Sequence, residues 1–170
     1  EASEMSNFII TDDKKLQKGL DEGCSHVINS AKEDLEEKIA EYTDGEGVDI
    51  SMECAGQAIT EEQTLLITKR RGKVGFVGIA YADVMLHQKA FESIFRHELT
   101  VKGFWNSYSA PFPGREWRKS IELVRQHRIE IEDLVTHRFT LEEMQKAYNM
   151  ITTRSETFNK VMFYPNGIEK

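Results

Sequence analysis

Short apolar runs of strand length recur along this chain at intervals of roughly 20–25 residues, and helical patterns fill the first gaps between them. The runs are Phe8-Ile9-Ile10-Thr11, His26-Val27-Ile28, Val48-Asp49-Ile50-Ser51-Met52, Val74-Gly75-Phe76-Val77 and Leu99-Thr100-Val101-Lys102-Gly103-Phe104. A helix is expected over 14–22, stopped by Gly23. Ser30-Ala31-Lys32-Glu33 and Thr60-Glu61-Glu62-Gln63 have capping-box spacing. They open expected helices running to Tyr42 and to Arg71, the second stopped by Gly72. A strand that returns parallel to its predecessor needs a crossover helix, so this alternation restricts the chain to βαβ units around a parallel sheet. The fold class is α/β, a doubly wound parallel sheet.

The second half is less regular. Residues 80–96 form a link with helical potential around Phe91 and Ile94, and 107–114 hold Pro111 and Pro113 in a loop. An amphipathic helix is expected over 115–127, with Trp117, Ile121 and Val124 on one face. Thr140-Leu141-Glu142-Glu143 caps a last helix carrying Met144, Ala147, Tyr148 and Ile151, and Lys160-Val161-Met162-Phe163-Tyr164-Pro165 is a closing strand.

Charge narrows the partners. The formal net charge of −7 opposes binding to nucleic acid, which needs clustered cations. The one dense basic run, Lys69-Arg70-Arg71, reads as a solvated helix end, where cations are favoured. Cys24 and Cys54 lie in apolar runs without metal-ligand spacing, so both are expected as buried, reduced thiols, as suits the cytoplasm. No apolar stretch has the length of a membrane span, and the first residues lack the pattern of a signal peptide.

In open α/β sheets ligands bind beyond the carboxyl ends of the strands. Asp12 and Asp13 close the first run. An acid there can accept hydrogen bonds from an adenosine ribose and repel a 2′-phosphate, or it can simply cap the following helix. Cys54-Ala55-Gly56 and Val77-Gly78-Ile79 follow later strands. Their small residues either let a flat ring approach the backbone or make ordinary turns. The chain contains no G-x-G-x-x-G, no phosphate-binding G-x-x-x-x-G-K, no G-x-S-x-G and no H-E-x-x-H, and its five histidines are scattered.

Taken in order, Ile9-Ile10-Thr11-Asp12, Lys15-Leu16, His26-Val27-Ile28-Asn29, Asp44-Gly45-Glu46-Gly47-Val48-Asp49, Glu53-Cys54-Ala55-Gly56 and Gly72-Lys73-Val74-Gly75-Phe76-Val77-Gly78 resemble the zinc-type medium-chain alcohol and polyol dehydrogenases. The stretch from Arg96 to Ser109, with Pro111-Phe112-Pro113-Gly114-Arg115-Glu116-Trp117, is similar to members acting on sugar-alcohol phosphates of the galactitol 1-phosphate type. Thr136-His137-Arg138-Phe139 and Lys160-Val161 also fit.

The resemblance implies a Rossmann-type sheet in strand order 3-2-1-4-5-6, entered here just before its second strand, so that the first strand and its glycine-rich turn are missing. It implies hydride transfer to NAD, with zinc held by a GroES-like domain outside this sequence, and no catalytic or metal residue within it. The cofactor-binding residues it implies are Asp12 and Lys15 toward adenosine, Ala55 and Gly56 near the nicotinamide ribose, and Gly78, Ile79, Phe104, Trp105 and Asn106 at the nicotinamide. Gly56→Val is expected to obstruct the cofactor with little change in fold. The implied division is a partial NAD-binding domain over 1–137 and a returning helix and strand over 138–170. The expected partners are a small polyol or polyol-phosphate substrate and a second copy of the chain, in a dimer or tetramer joined through the edge strand 99–104. The competing readings are a sorbitol- or threonine-type dehydrogenase, and a non-catalytic remnant acting in nucleotide binding or subunit association.

Overall fold

The computed structural model describes residues 5–105 and 110–168. The chain forms two compact units, residues 1–105 and 106–170. In the first, β1 (Asn7–Ile10), α1 (Asp13–Asp21), β2 (His26–Asn29), α2 (Leu35–Tyr42), β3 (Val48–Glu53), α3 (Ala58–Leu66), β4 (Thr68–Phe76), α4 (Gln88–Arg96) and β5 (Thr100–Gly103) alternate as the apolar spacing requires. In the second, α5 (Gly114–Arg125) and a short 3-10 turn lead to β6 (Val135–Thr140), α6 (Met144–Thr153) and β7 (Lys160–Tyr164). The domain boundary expected after His137 falls inside β6, whose pairing with β7 holds that strand in the second unit.

Every strand pairing among the described residues is parallel. The first unit carries two sheets, β1-β2 and β3-β4-β5, rather than one. Among the described residues no strand joins β1 to β3. That is the position which the expected order 3-2-1-4-5-6 gives to its first strand. Two apolar clusters hold this unit together. Ile28, Leu35, Ile39 and Ile67 pack with Ile9, Tyr42 and Val48, tying the first sheet to the start of the second. Leu65, Val74 and Ala90 pack with Phe76, Ile94 and Leu99 beneath α3 and α4. The second unit has its own core of Phe139, Ala147 and Met150.

Helix boundaries moved where a side chain was claimed by the fold. The helix expected to reach Arg71 ends at Leu66, and Lys69-Arg70-Arg71 lies in β4 rather than at a helix end. Thr68 accounts for this: its buried hydroxyl donates to the Thr64 carbonyl (2.7 Å) and lies 2.7 Å from the Ser51 hydroxyl, fixing the chain onto β3. The register against β3 then jumps, and Arg71 takes a left-handed φ of 62° within the irregularity. Ser30 does not cap α2. Asp34 does, accepting from the Glu37 amide at 3.0 Å.

β3 inverts the usual alternation. Its buried face carries Ser51 and Glu53, while apolar Ile50 and Met52 are more than half exposed on the other. A Cβ added at Gly75 would meet Met52 and the Phe104 ring, so Phe104 shares that open face.

Candidate cofactor site at the strand ends

The predicted site residues fall into two groups. Asp12 stands between β1 and α1 and is the N-cap of α1, its carboxylate accepting from the Lys14 amide at 2.9 Å. Lys15 is in the first turn of that helix. Asp13 accepts from the Asn29 side chain (2.5 Å) and from Lys32, two groups at and just beyond the carboxyl end of β2. The Lys32 hydrogen bond, followed by that of Asn29, holds the Asp13 carboxyl below its ordinary range. Both strands of the first sheet therefore end in polar, charged chain. Capping occupies only part of the four lone-pair sites of Asp12, so the cap and a ribose contact are compatible at this residue.

The second group is at the carboxyl ends of β3, β4 and β5. Ala55 and Gly56 form the turn after β3, and Gly78 and Ile79 the turn after β4. Parallel pairing puts Met52, Glu53, Gly75, Phe76, Lys102 and Gly103 side by side at these ends. Val77 and Gly78 donate to the Glu53 carbonyl at 2.8 and 3.0 Å, and Phe104 donates to the Phe76 carbonyl at 2.8 Å. Gly56, Gly78 and Ile79 thus meet in one place, with Phe104 and Trp105 one strand further along. Ile79 and Trp105 are largely exposed and Phe104 about half, so apolar surface faces outward where a flat ring is expected. The Lys102 ammonium lies 5.0 Å from the centre of the Phe104 ring. Asn106 lies outside the described residues.

Gly56 corrects one expectation. It is buried, with φ 68°, and a Cβ there would run into the carbonyl of Ile79. Its glycine is required by the packing of two turns, so Gly56→Val perturbs the fold before it can obstruct a ligand.

The residue missed from sequence is Glu53. It is 2% exposed, and its Oε1 accepts from the amides of Ala55 (2.8 Å) and Gly56 (2.9 Å) and from the Thr60 hydroxyl (2.6 Å). That last bond explains why Thr60 is not the helix cap: α3 begins at Ala58 and its cap position is Gln57, which makes no side-chain cap bond. Glu61 lies buried nearby, and its carboxyl is raised by desolvation and then by the charge of Glu53.

The cysteines and histidines build no second site. Cys54 is exposed, not buried as expected, and Cys24 is half-buried. The Cys54 thiol is pushed up by desolvation and then by Glu53, which makes it a poorer nucleophile. His26 stacks on Tyr42, His87 pairs with Glu62 and His137 with Glu156. Among the described residues no group of three His, Cys, Asp or Glu side chains could hold a metal ion. The described residues therefore offer no set of ligands that fits zinc. No helix among those residues is long and apolar enough to cross a membrane.

Comparison with known proteins places the chain in a family. Residues 8–126 match the family described as zinc-binding dehydrogenase, and the chain belongs to that family. It is 28% identical over 155 residues to the sorbitol dehydrogenase of Halalkalibacterium halodurans, covering 91% of this chain and 42% of that enzyme. It is 33% identical over 114 residues to the galactitol 1-phosphate 5-dehydrogenase of Escherichia coli K12, covering 67% of this chain and 33% of that enzyme. The crystal structure of galactitol-1-phosphate dehydrogenase from Escherichia coli superposes with a TM-score of 0.85 at 26% identity, over 95% of this chain and 46% of that one. The fold is thus the Rossmann-type α/β arrangement of that family, and the chain spans less than half the length of these relatives.

Proposed function

We propose that this chain is the cofactor-binding part of an NAD-dependent, zinc-dependent oxidoreductase that oxidises a sugar alcohol phosphate of the galactitol 1-phosphate type by hydride transfer. The observation that carries the reading is the convergence of Gly56, Gly78, Ile79 and Phe104 at the carboxyl ends of consecutive parallel strands, in a chain of the zinc-binding dehydrogenase family. Ligands of open α/β sheets bind at such ends. In this reading Asp12 and Lys15 hold the adenosine ribose, Ala55 and Gly56 adjoin the nicotinamide ribose, and Gly78, Ile79, Phe104, Trp105 and Asn106 line the nicotinamide. NAD supplies the hydride acceptor. Zinc acts as Lewis acid from ligands outside the described residues, in a cytoplasmic enzyme.

A sorbitol-type activity is the second reading. It is favoured by the longer match to a sorbitol dehydrogenase, 155 residues against 114. The intact protein, given zinc and NAD, should reduce NAD with galactitol 1-phosphate faster than with sorbitol or threonine, followed at the NADH absorbance. Faster turnover of sorbitol would replace the first reading with the second. Faster turnover with NADP than with NAD would refute the cofactor assignment.

A further inference from the structure

The Glu53 side chain is buried at a junction of two turns, yet among the described residues it pairs with no cation. Its Oε1 gathers three donors from one segment, the amides of Ala55 and Gly56 and the hydroxyl of Thr60. Its backbone carbonyl accepts from Val77 and Gly78, the first residues of the other turn. Its Oε2 has no hydrogen-bond partner among the described residues, and a Cβ added at Gly78 would strike that oxygen. One residue therefore grips both turns, with the side chain on one and the main chain on the other. A buried acceptor that leaves one oxygen unsatisfied is costly, so its retention calls for an advantage elsewhere.

We infer that Glu53 is a positioning residue for the nicotinamide half of the dinucleotide site, holding the Ala55–Gly56 turn against the Gly78–Ile79 turn so that the two present one surface. The inference rests on the proposed reading of this chain as a dinucleotide-binding domain. The adenosine end, assigned to Asp12, lies on the other sheet and does not depend on this junction. Loss of the carboxylate should therefore weaken ligands that reach the nicotinamide end and spare those that do not.

The test is made on the intact protein with NADH and AMP as probes, each titrated by calorimetry. Glu53→Leu should weaken NADH at least about tenfold, which is about 1.4 kcal/mol, and leave AMP within about twofold. Glu53→Gln keeps a carbonyl oxygen in the Oε1 position and should restore NADH binding to within about threefold. Thr60→Val removes one of the three donors, and should weaken NADH about threefold without touching AMP. It decides the matter if Glu53→Leu does not fold. Unchanged NADH affinity in Glu53→Leu, or in Thr60→Val where the first variant is unfolded, overturns the inference. So does a parallel loss of NADH and AMP, the mark of a merely structural residue. A wild type that binds neither probe overturns the dinucleotide reading itself, and the inference with it.

Discussion

In the proposed reading the Asp12 side chain serves two purposes, and they can be separated. Its carboxylate caps α1 through the Lys14 amide, and removing an N-cap costs about 1 kcal/mol. Serine caps nearly as well as aspartate but carries no charge to repel a 2′-phosphate. Asp12→Ser should therefore keep the melting temperature of wild type while lowering the ratio of NADP to NAD dissociation constants. Asp12→Ala should lower both. A Ser variant with unaltered cofactor preference would leave Asp12 with only its capping role. Gly56 is the opposite case, a residue whose demand is wholly steric. The left-handed φ and the Ile79 carbonyl in the path of a Cβ lead us to expect that Gly56→Val loses ~2–4 kcal/mol of stability, read from urea denaturation. Stability within about 0.5 kcal/mol of wild type would show that the two turns are not packed as described.

The same contrast explains what the sequence revealed at the level of elements. Short apolar runs at regular spacing located β1, β2, β3, β5 and β7 to within a residue or so. β3 was recognised as a short apolar run, but its sense was hidden, since it buries Ser51 and Glu53 and leaves Ile50 and Met52 outward. The start of β4 and the cap of α3 were illegible for a related reason. Thr60 looks locally like a helix cap and Thr68 like a helix residue, and only the Glu53 carboxylate and the Ser51 hydroxyl claim them otherwise. Glycines at turns could be read from sequence, but whether a ligand or another turn required them could not. β5 gives an element-scale prediction. It is the outer strand of its sheet, with all four residues exposed. Amides alternate in direction along a strand; because Phe104 donates to β4, Lys102 and Thr100 point the same way and Val101 points outward. Proline at an outward edge position leaves the β4–β5 ladder intact and removes the donor a second strand would need. If the expected dimer forms through this edge, Val101→Pro should turn it into monomers in sedimentation velocity without lowering the melting temperature much. An unchanged dimer would exclude this edge as the interface.

At the largest scale, the two sheets of the first unit leave the outer edges of β1 and β3 without a strand partner among the described residues, and the apolar face of Ile50, Met52 and Phe104 exposed. Unpaired strand edges and exposed apolar surface both favour association with other chains. The catalytic consequence is more definite. Alcohol oxidation by this family's chemistry needs a Lewis acid on the forming alkoxide, and a catalytic zinc takes three protein ligands with a fourth position open. The two cysteines and five histidines of this sequence show no ligand spacing, and among the described residues no three acidic, thiol or imidazole groups converge. Hydride transfer also needs the nicotinamide held in one orientation, which a pyrophosphate anchored at a helix N-terminus provides. The glycine-rich turn that would anchor it is not in the sequence. These two deficits act on separate steps, one on charge in the transition state and one on the geometry of approach, so restoring either alone should not restore turnover. The 170-residue chain, purified and supplied with zinc, NAD and galactitol 1-phosphate, should accordingly produce no NADH above a zinc-free control. Zinc-dependent turnover would mean that the residues described here assemble a metal site only with substrate bound, and metal titration of the chain with and without substrate would then locate it.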